Sequence, residues 1–325
     1  MPKNIVICCD GTNSQFGGVN TNVAHLFDSL APDGPKQCAC YEPGVGTFGA
    51  DFFSLNVGRT LGKALGAAFG YGIKQNLTRV YRYLVDTYEP GDRLFVFGFS
   101  RGAFTARSLA SLVDQCGVLD RAGRDRAGAV VAAYLDGDDI ADARRRTGPV
   151  AGCAPHFVGV WETVGALGLL LRLRRFHDNR LSPGVTHAVQ ALAIDERRRS
   201  FAPTLWDERR LASGQRVRQC WFAGVHSDIG GGYVDRDLAD ITLRWILAEA
   251  ESAGLRVSPD ARARLQGNPA GRLHDSYRGF WRLLGTHVRR IAADACIHVS
   301  VARRLARRPD YRPANLPERA RPPAP

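Results

Sequence analysis

Five short apolar runs, each closed by a turn signal and most followed by helical spacing, set the main constraint on this chain. Asn4–Cys9 is almost continuously apolar. That pattern suits a strand covered on both faces of a parallel sheet, not one with a wet face. Asp10-Gly11-Thr12-Asn13 stops it. Residues 37–41, 94–98, 157–161 and 217–223 read as further strands. Apolar side chains recur at helical spacing over 22–30, 58–88, 101–116 and 238–253, with Thr21 or Asn22 as the first N-cap. Residues 185–194 read as another helix, and 121–147 as a charged, Ala-rich, mostly solvent-facing one. Strands alternating with helices predict an α/β fold built on a mostly parallel sheet.

The chain has 325 residues, 45% of them hydrophobic and 23% charged, which is enough to bury a core and excludes disorder over most of its length. We expect a core over residues 1–255, with insertions near 121–150 and 164–184. A helical, Arg/Pro-rich extension over 256–325 packs on it. A lone Lys3 before five apolar residues is too short for a signal peptide, and no apolar run reaches a membrane span. A chain made in the cytoplasm is the expectation. Eight cysteines without a C-x-x-C pair or zinc spacing read as buried, reduced thiols, and no metal or cofactor is expected.

The net charge is +12, and 40 of the 44 basic residues are Arg. Such a balance invites a polyanion reading. The Arg cluster over 303–321 is broken by prolines, however, and Tyr311 is its lone aromatic, so it offers no stacking platform for nucleic acid. The near-absence of Lys runs through the whole chain and reads as coding bias. Peripheral contact with an anionic membrane remains as the role for the basic C-terminus. Oligomeric state is not readable from the sequence.

Chemistry concentrates at Gly98-Phe99-Ser100-Arg101-Gly102, a G-x-S-x-G between a buried strand and a helix. In that setting the serine stands on a tight strand-to-helix turn, exposed at the carboxyl end of the sheet. Gly98 and Gly102 are small so that the backbone can pack closely there. A nucleophilic Ser100 needs a base and an orienting acid, in the chain order Ser, acid, His. His226 follows the fifth strand and is the base. Glu162 follows the fourth strand and is the first candidate for the acid; Asp228 is the alternative, or else braces the Gly230-Gly231-Gly232 turn. The backbone N–H of Arg101 supplies one oxyanion donor, and Gly11 or Thr12 the second, with Asp10 shaping that turn. Asp10-Gly11-Thr12 also suggests an aspartyl phosphatase, but Cys8 stands where its nucleophilic Asp belongs. The apolar run 164–171 lines an acyl pocket or forms a lid, or else is a core helix. Arg172, Arg174 and Arg175 after it are placed to meet lipid phosphate.

With these residues the chain resembles the α/β-hydrolase domain family of type VI secretion lipase effectors of the first family, which are phospholipases. The matching pieces include Ile7-Cys8-Cys9-Asp10-Gly11-Thr12-Asn13, Tyr41-Glu42-Pro43-Gly44-Val45-Gly46-Thr47 and Phe97-Gly98-Phe99-Ser100-Arg101-Gly102-Ala103. Gly159-Val160-Trp161-Glu162-Thr163-Val164-Gly165 and Gly224-Val225-His226-Ser227-Asp228-Ile229-Gly230-Gly231-Gly232-Tyr233 continue the likeness. The resemblance implies an α/β-hydrolase fold, a Ser-Asp-His triad, hydrolysis of phospholipid acyl esters and secretion without a signal peptide. Glu162 stands where the family usually has Asp. A small-molecule esterase or thioesterase, or a catalytically idle basic binding module, are the other readings.

Overall fold

The computed structural model describes residues 2–11, 19–32, 34–44, 58–137, 150–164 and 179–320. Thr12, Asn13, the 138–149 part of the charged stretch and the 165–178 run with Arg172, Arg174 and Arg175 lie outside the described residues. Strands β1 (Asn4–Cys9), β2 (Gln37–Glu42), β3 (Arg93–Phe99), β6 (Pro155–Trp161), β7 (His187–Ala193), β8 (Arg216–Phe222) and β9 (Cys296–Ile297) form one sheet. Its order is β2-β1-β3-β6-β7-β8-β9, and every neighbouring pair is parallel. Two short strands, β4 (Val118–Leu119) and β5 (Val150–Ala151), pair separately.

Helices cover both faces, which is why β1 is buried along its whole length. On one face α2 (Gly58–Thr87), α3 (Arg101–Cys116) and α4 (Ala127–Asp136) share a core with Ile5, Ile7, Leu94 and Val96. On the other, α1 (Asn22–Ser29) and a later helix, Asp237–Ser252, pack on Val6, Phe95, Phe97 and Phe157. Between them in sequence lies α5 (His226–Gly230), so the later helix is α6; α7 (Pro259–Arg264) and α8 (Val299–Arg307) follow. Thr21 caps α1 by accepting the Ala24 N–H at 3.3 Å. Among the described residues no helix is long and apolar enough to cross a membrane.

Two expectations are corrected. Residues 185–194 are not a helix: β7 lies between β6 and β8 with all seven residues buried. A strand covered on both faces shows no alternation, so its apolar run reads equally as a core helix. Nor are all eight cysteines reduced: Cys220 and Cys296, directly opposed in β8 and β9, form a disulfide.

The chain leaves β1 toward β2 and returns on the other side as β3, so the strand order reverses between β1 and β3. The carboxyl ends of those two strands mark the switch point, the usual ligand position in an open α/β sheet. Two glycines allow the close packing there. A Cβ on Gly102 would lie 2.2 Å from the Cys9 carbonyl oxygen and 2.4 Å from that of Asp10. A Cβ on Gly98 would meet the Gly102 carbonyl oxygen at 2.4 Å. These obstacles are backbone atoms and cannot rotate away. Gly102→Ala is therefore expected to cost about 3 kcal/mol through overpacking. Gly34→Ala, with nothing within 4 Å of the added carbon, should stay within about 0.5 kcal/mol. Urea denaturation of both variants checks this; coincident midpoints would contradict the packing argument.

Candidate active site

Ser100 joins β3 to α3 with φ 58° and ψ −118°, a left-handed conformation that a non-glycine residue adopts only when its surroundings hold it. Its N–H donates to the Trp161 carbonyl at 3.0 Å, which ties the turn to the end of β6. The side chain then stands over the first turn of α3, where unpaired helix N–H groups and the helix dipole favour negative charge.

His226 opens α5, with three residues between it and the end of β8, and its backbone N–H donates to Glu196 at 3.2 Å. The ring is held between two others, its centre 4.7 Å from that of Phe99 and 4.9 Å from that of Phe201. His226 Nδ1 lies 3.0 Å from Glu162 Oε2, and Nε2 lies 3.0 Å from Ser100 Oγ. An ionised carboxylate can only accept, so Nδ1 carries the proton and Nε2 accepts from the serine hydroxyl. Burial pulls the imidazole below its ordinary value, and the Glu162 and Glu196 charges only partly oppose this. The ring is therefore neutral at pH 7 and able to take a proton.

Glu162 has no exposed surface. Its backbone, with φ 50°, is the second left-handed non-glycine residue at this edge. Oε1 accepts from the Ala193 N–H and from Arg289 Nη1, both at 2.7 Å. Oε2 accepts from Arg289 Nη2 at 2.8 Å, beside its bond to His226. Burial alone would raise this carboxyl, but the Arg289 charge and the bonds from Arg289 and His226 outweigh it and hold it at about 2. Arg289 is itself buried, and its other bonds run to the Ala193 carbonyl at 2.8 Å and the Phe201 carbonyl at 2.6 Å. Sequence reasoning missed this residue.

Asp228 sits elsewhere. It accepts from the Val225 N–H at 3.0 Å, the His274 N–H at 3.1 Å and His274 Nδ1 at 2.6 Å. It thus ties the start of α5 to the C-terminal segment, while Glu162 faces the His226 ring. Asp10 is buried at the end of β1 and accepts hydroxyl bonds from Thr21 at 2.7 Å and Tyr41 at 2.5 Å. Its other oxygen accepts the Gly11 N–H at 2.6 Å. One of the two expected second oxyanion donors is therefore already engaged by a neighbouring carboxylate. Arg101, the first residue of α3, places its N–H beside Ser100. Among the described residues no group of three or more His, Cys, Asp or Glu side chains is arranged to hold a metal ion.

The chain is 31% identical over 219 residues to an uncharacterized protein of Saccharomyces cerevisiae, YEL023C. The match takes in 61% of this chain but only 32% of that protein, so the chain spans about a third of its relative's length. A crystal structure of an uncharacterized protein from Pseudomonas aeruginosa overlays on 82% of this chain and 49% of its own, with a TM-score of 0.48 and 20% identity. The family model described as the catalytic domain of Tle1-like type VI secretion phospholipase effectors matches residues 3–249. That stretch runs from β1 into α6 and contains Ser100, Glu162 and His226. Matched over most of its length, the chain belongs to the family of Tle1-like type VI secretion phospholipase effector catalytic domains.

Proposed function

We propose that the chain is a serine hydrolase that cleaves the acyl esters of phospholipids. The observation that carries this is the hydrogen-bond chain from Ser100 through His226 to Glu162, in a member of a phospholipase effector family. Ser100 Oγ bonds to the acyl carbonyl carbon while its proton passes to His226 Nε2 and the carbonyl electron pair moves onto oxygen. The Arg101 N–H and the end of α3 stabilise that oxyanion; Gly11 joins them by exchanging the Asp10 carboxylate for it. Collapse breaks the bond to the leaving alcohol, which takes the proton from Nε2. Water repeats the sequence on the acyl-enzyme, releasing the fatty acid and restoring Ser100. Glu162 holds the ring's tautomer and stabilises the imidazolium; Arg289 keeps Glu162 ionised and oriented.

Ser100→Ala is expected to lower kcat by about 10⁴-fold or more on phospholipid and on p-nitrophenyl esters alike. Rates equal to those of the parent protein would leave the chain a binding module.

Because His226 must be neutral to act and burial lowers its pKa, the acid limb of kcat/KM should lie below the ordinary histidine value of about 6.5. Removing the Arg289 charge raises the proton affinity of the His226–Glu162 pair. Arg289→Gln should therefore move that limb to higher pH and, by leaving a buried carboxylate unpaired, cost about 3 kcal/mol of stability. Its pH–rate profile, measured with a melting curve, checks both; an unmoved limb would reduce Arg289 to a structural clamp.

The surface favours a lipid interface over a small soluble ester. Leu283, Leu284 and Val288 are exposed, at 82%, 42% and 58%, on the segment whose Trp281 packs on Phe201 beside His226. Arg278, Arg282 and Arg290 are exposed among them. Apolar side chains flanked by cations match the boundary of an anionic membrane. The paired change Leu283→Asp and Leu284→Asp should lower hydrolysis of anionic vesicles about tenfold or more and leave a water-soluble ester unaffected. Equal loss on both substrates would count against the interfacial role.

A further inference from the structure

Arg107 lies on α3, seven residues beyond Ser100 and so about 10 Å further along the helix. It is only 5% exposed. Nη1 donates to the Thr204 carbonyl at 2.7 Å, and the guanidinium lies over Trp206 at 4.4 Å from the ring centre. Nη2 is buried and has no hydrogen-bond partner. Among the described residues no carboxylate pairs with Arg107, and burial alone pulls its pKa down to about 9. A buried cation without a counter-charge is costly and is rarely kept without one.

The charge faces a cavity of about 570 Å³ between α3, the 180–183 turn and the 206–215 loop. Arg180 and Arg210 stand at its rim, exposed. Ser111, Ser182 and Gln215 add hydroxyl and amide groups to its lining. Of the carboxylates near this rim in sequence, Glu208 accepts from Gln219 Nε2 at 2.8 Å, and Asp207 is forked by Arg209 with the Arg180 charge also acting on it. Three arginines and two serines lining one cavity suit a multiply charged oxyanion with several terminal oxygens better than a single carboxylate.

We propose that this cavity is a phosphate-binding site separate from the Ser100 centre, with Arg107 as its buried anchor and Arg180 and Arg210 closing over the anion. The site also reaches the acid's loop. Thr204, whose carbonyl Arg107 holds, donates its N–H to the Thr163 carbonyl at 2.9 Å, one residue past Glu162.

The test is titration of the intact chain with inorganic phosphate at constant ionic strength, with chloride as the control, followed by calorimetry and thermal melting. Phosphate is expected to bind and to raise the melting temperature. Arg210→Ala should weaken binding about tenfold, the worth of one charge-assisted contact, and Arg107→Gln should abolish it. Ser100→Ala should bind like the parent, so that failure of the hydrolase reading leaves this result standing. Sedimentation with phosphatidylcholine vesicles, with and without phosphatidic acid, separates the two sources of the group. Arg210-dependent binding to phosphatidate vesicles without binding of free phosphate assigns the site to a lipid headgroup. No binding of either probe, or binding unchanged in Arg210→Ala and Arg180→Ala, overturns the proposal, and those two rim variants decide it if Arg107→Gln does not fold.

Discussion

A carboxylate with no exposed surface must find donors or take up a proton. Glu162 is in that position, and the way it is satisfied organises the whole sheet edge. One donor is the backbone of β7's last residue, two are Arg289 nitrogens and one is the His226 ring. Each comes from a different part of the chain, so the carboxylate stays ionised only when β6, β7, the turn after β8 and the C-terminal segment are all in place. The cost of an unpaired buried charge makes this arrangement close to all-or-none. The Ser100 turn is fixed separately, by the approach of α3's first turn to the end of β1.

The family match ends at residue 249, inside α6, whereas Arg289 and Cys296 lie beyond it. The segment after α6 is nonetheless no appendage. It adds β9 to the sheet, ties to β8 through the Cys220–Cys296 disulfide, and supplies His274 to Asp228 and Ser276 to Glu196. Glu196 in turn accepts the His226 backbone N–H. Two carboxylates next to the imidazole are thus completed from outside the matched stretch.

What the sequence made legible is what local geometry determines. Five residues around Ser100 specify a strand-to-helix turn, because only small residues fit where the α3 backbone approaches β1. His226 and Glu162 could be named because each lies within a few residues of a strand's carboxyl end and so at the same sheet edge. The choice between Glu162 and Asp228 was not local. Both sit past strand ends, and what separates them is that Arg289 returns to one and His274 to the other. Nothing in the run Arg289-Arg290 marks the first as buried and the second as exposed. The seven residues of β7 were misread for a related reason: covered on both faces, they lack the alternation that distinguishes a strand.

The arginine bias takes on a narrower meaning against this background. As composition it suggested a polyanion binder, and much of it is exposed surface. Arg107, Arg289 and Arg304, however, are all buried. Arg289 holds two carbonyls and a carboxylate at once. Arg304 spans the Pro269 and Gly271 carbonyls while lying over Tyr311. A planar fork with five donors can make such sets of bonds; a lysine ammonium, a compact and strongly hydrated point charge, cannot. Arg107 differs from the other two in its partners: among the described residues it has one carbonyl, an indole face and no anion. Arg289 is neutralised by Glu162 and Arg304 acts on the Asp195 carboxyl; of these three, Arg107, without a counter-charge among the described residues, lines a polar cavity. The same desolvation argument that makes Glu162 depend on Arg289 makes Arg107 depend on an anion that the described residues do not supply.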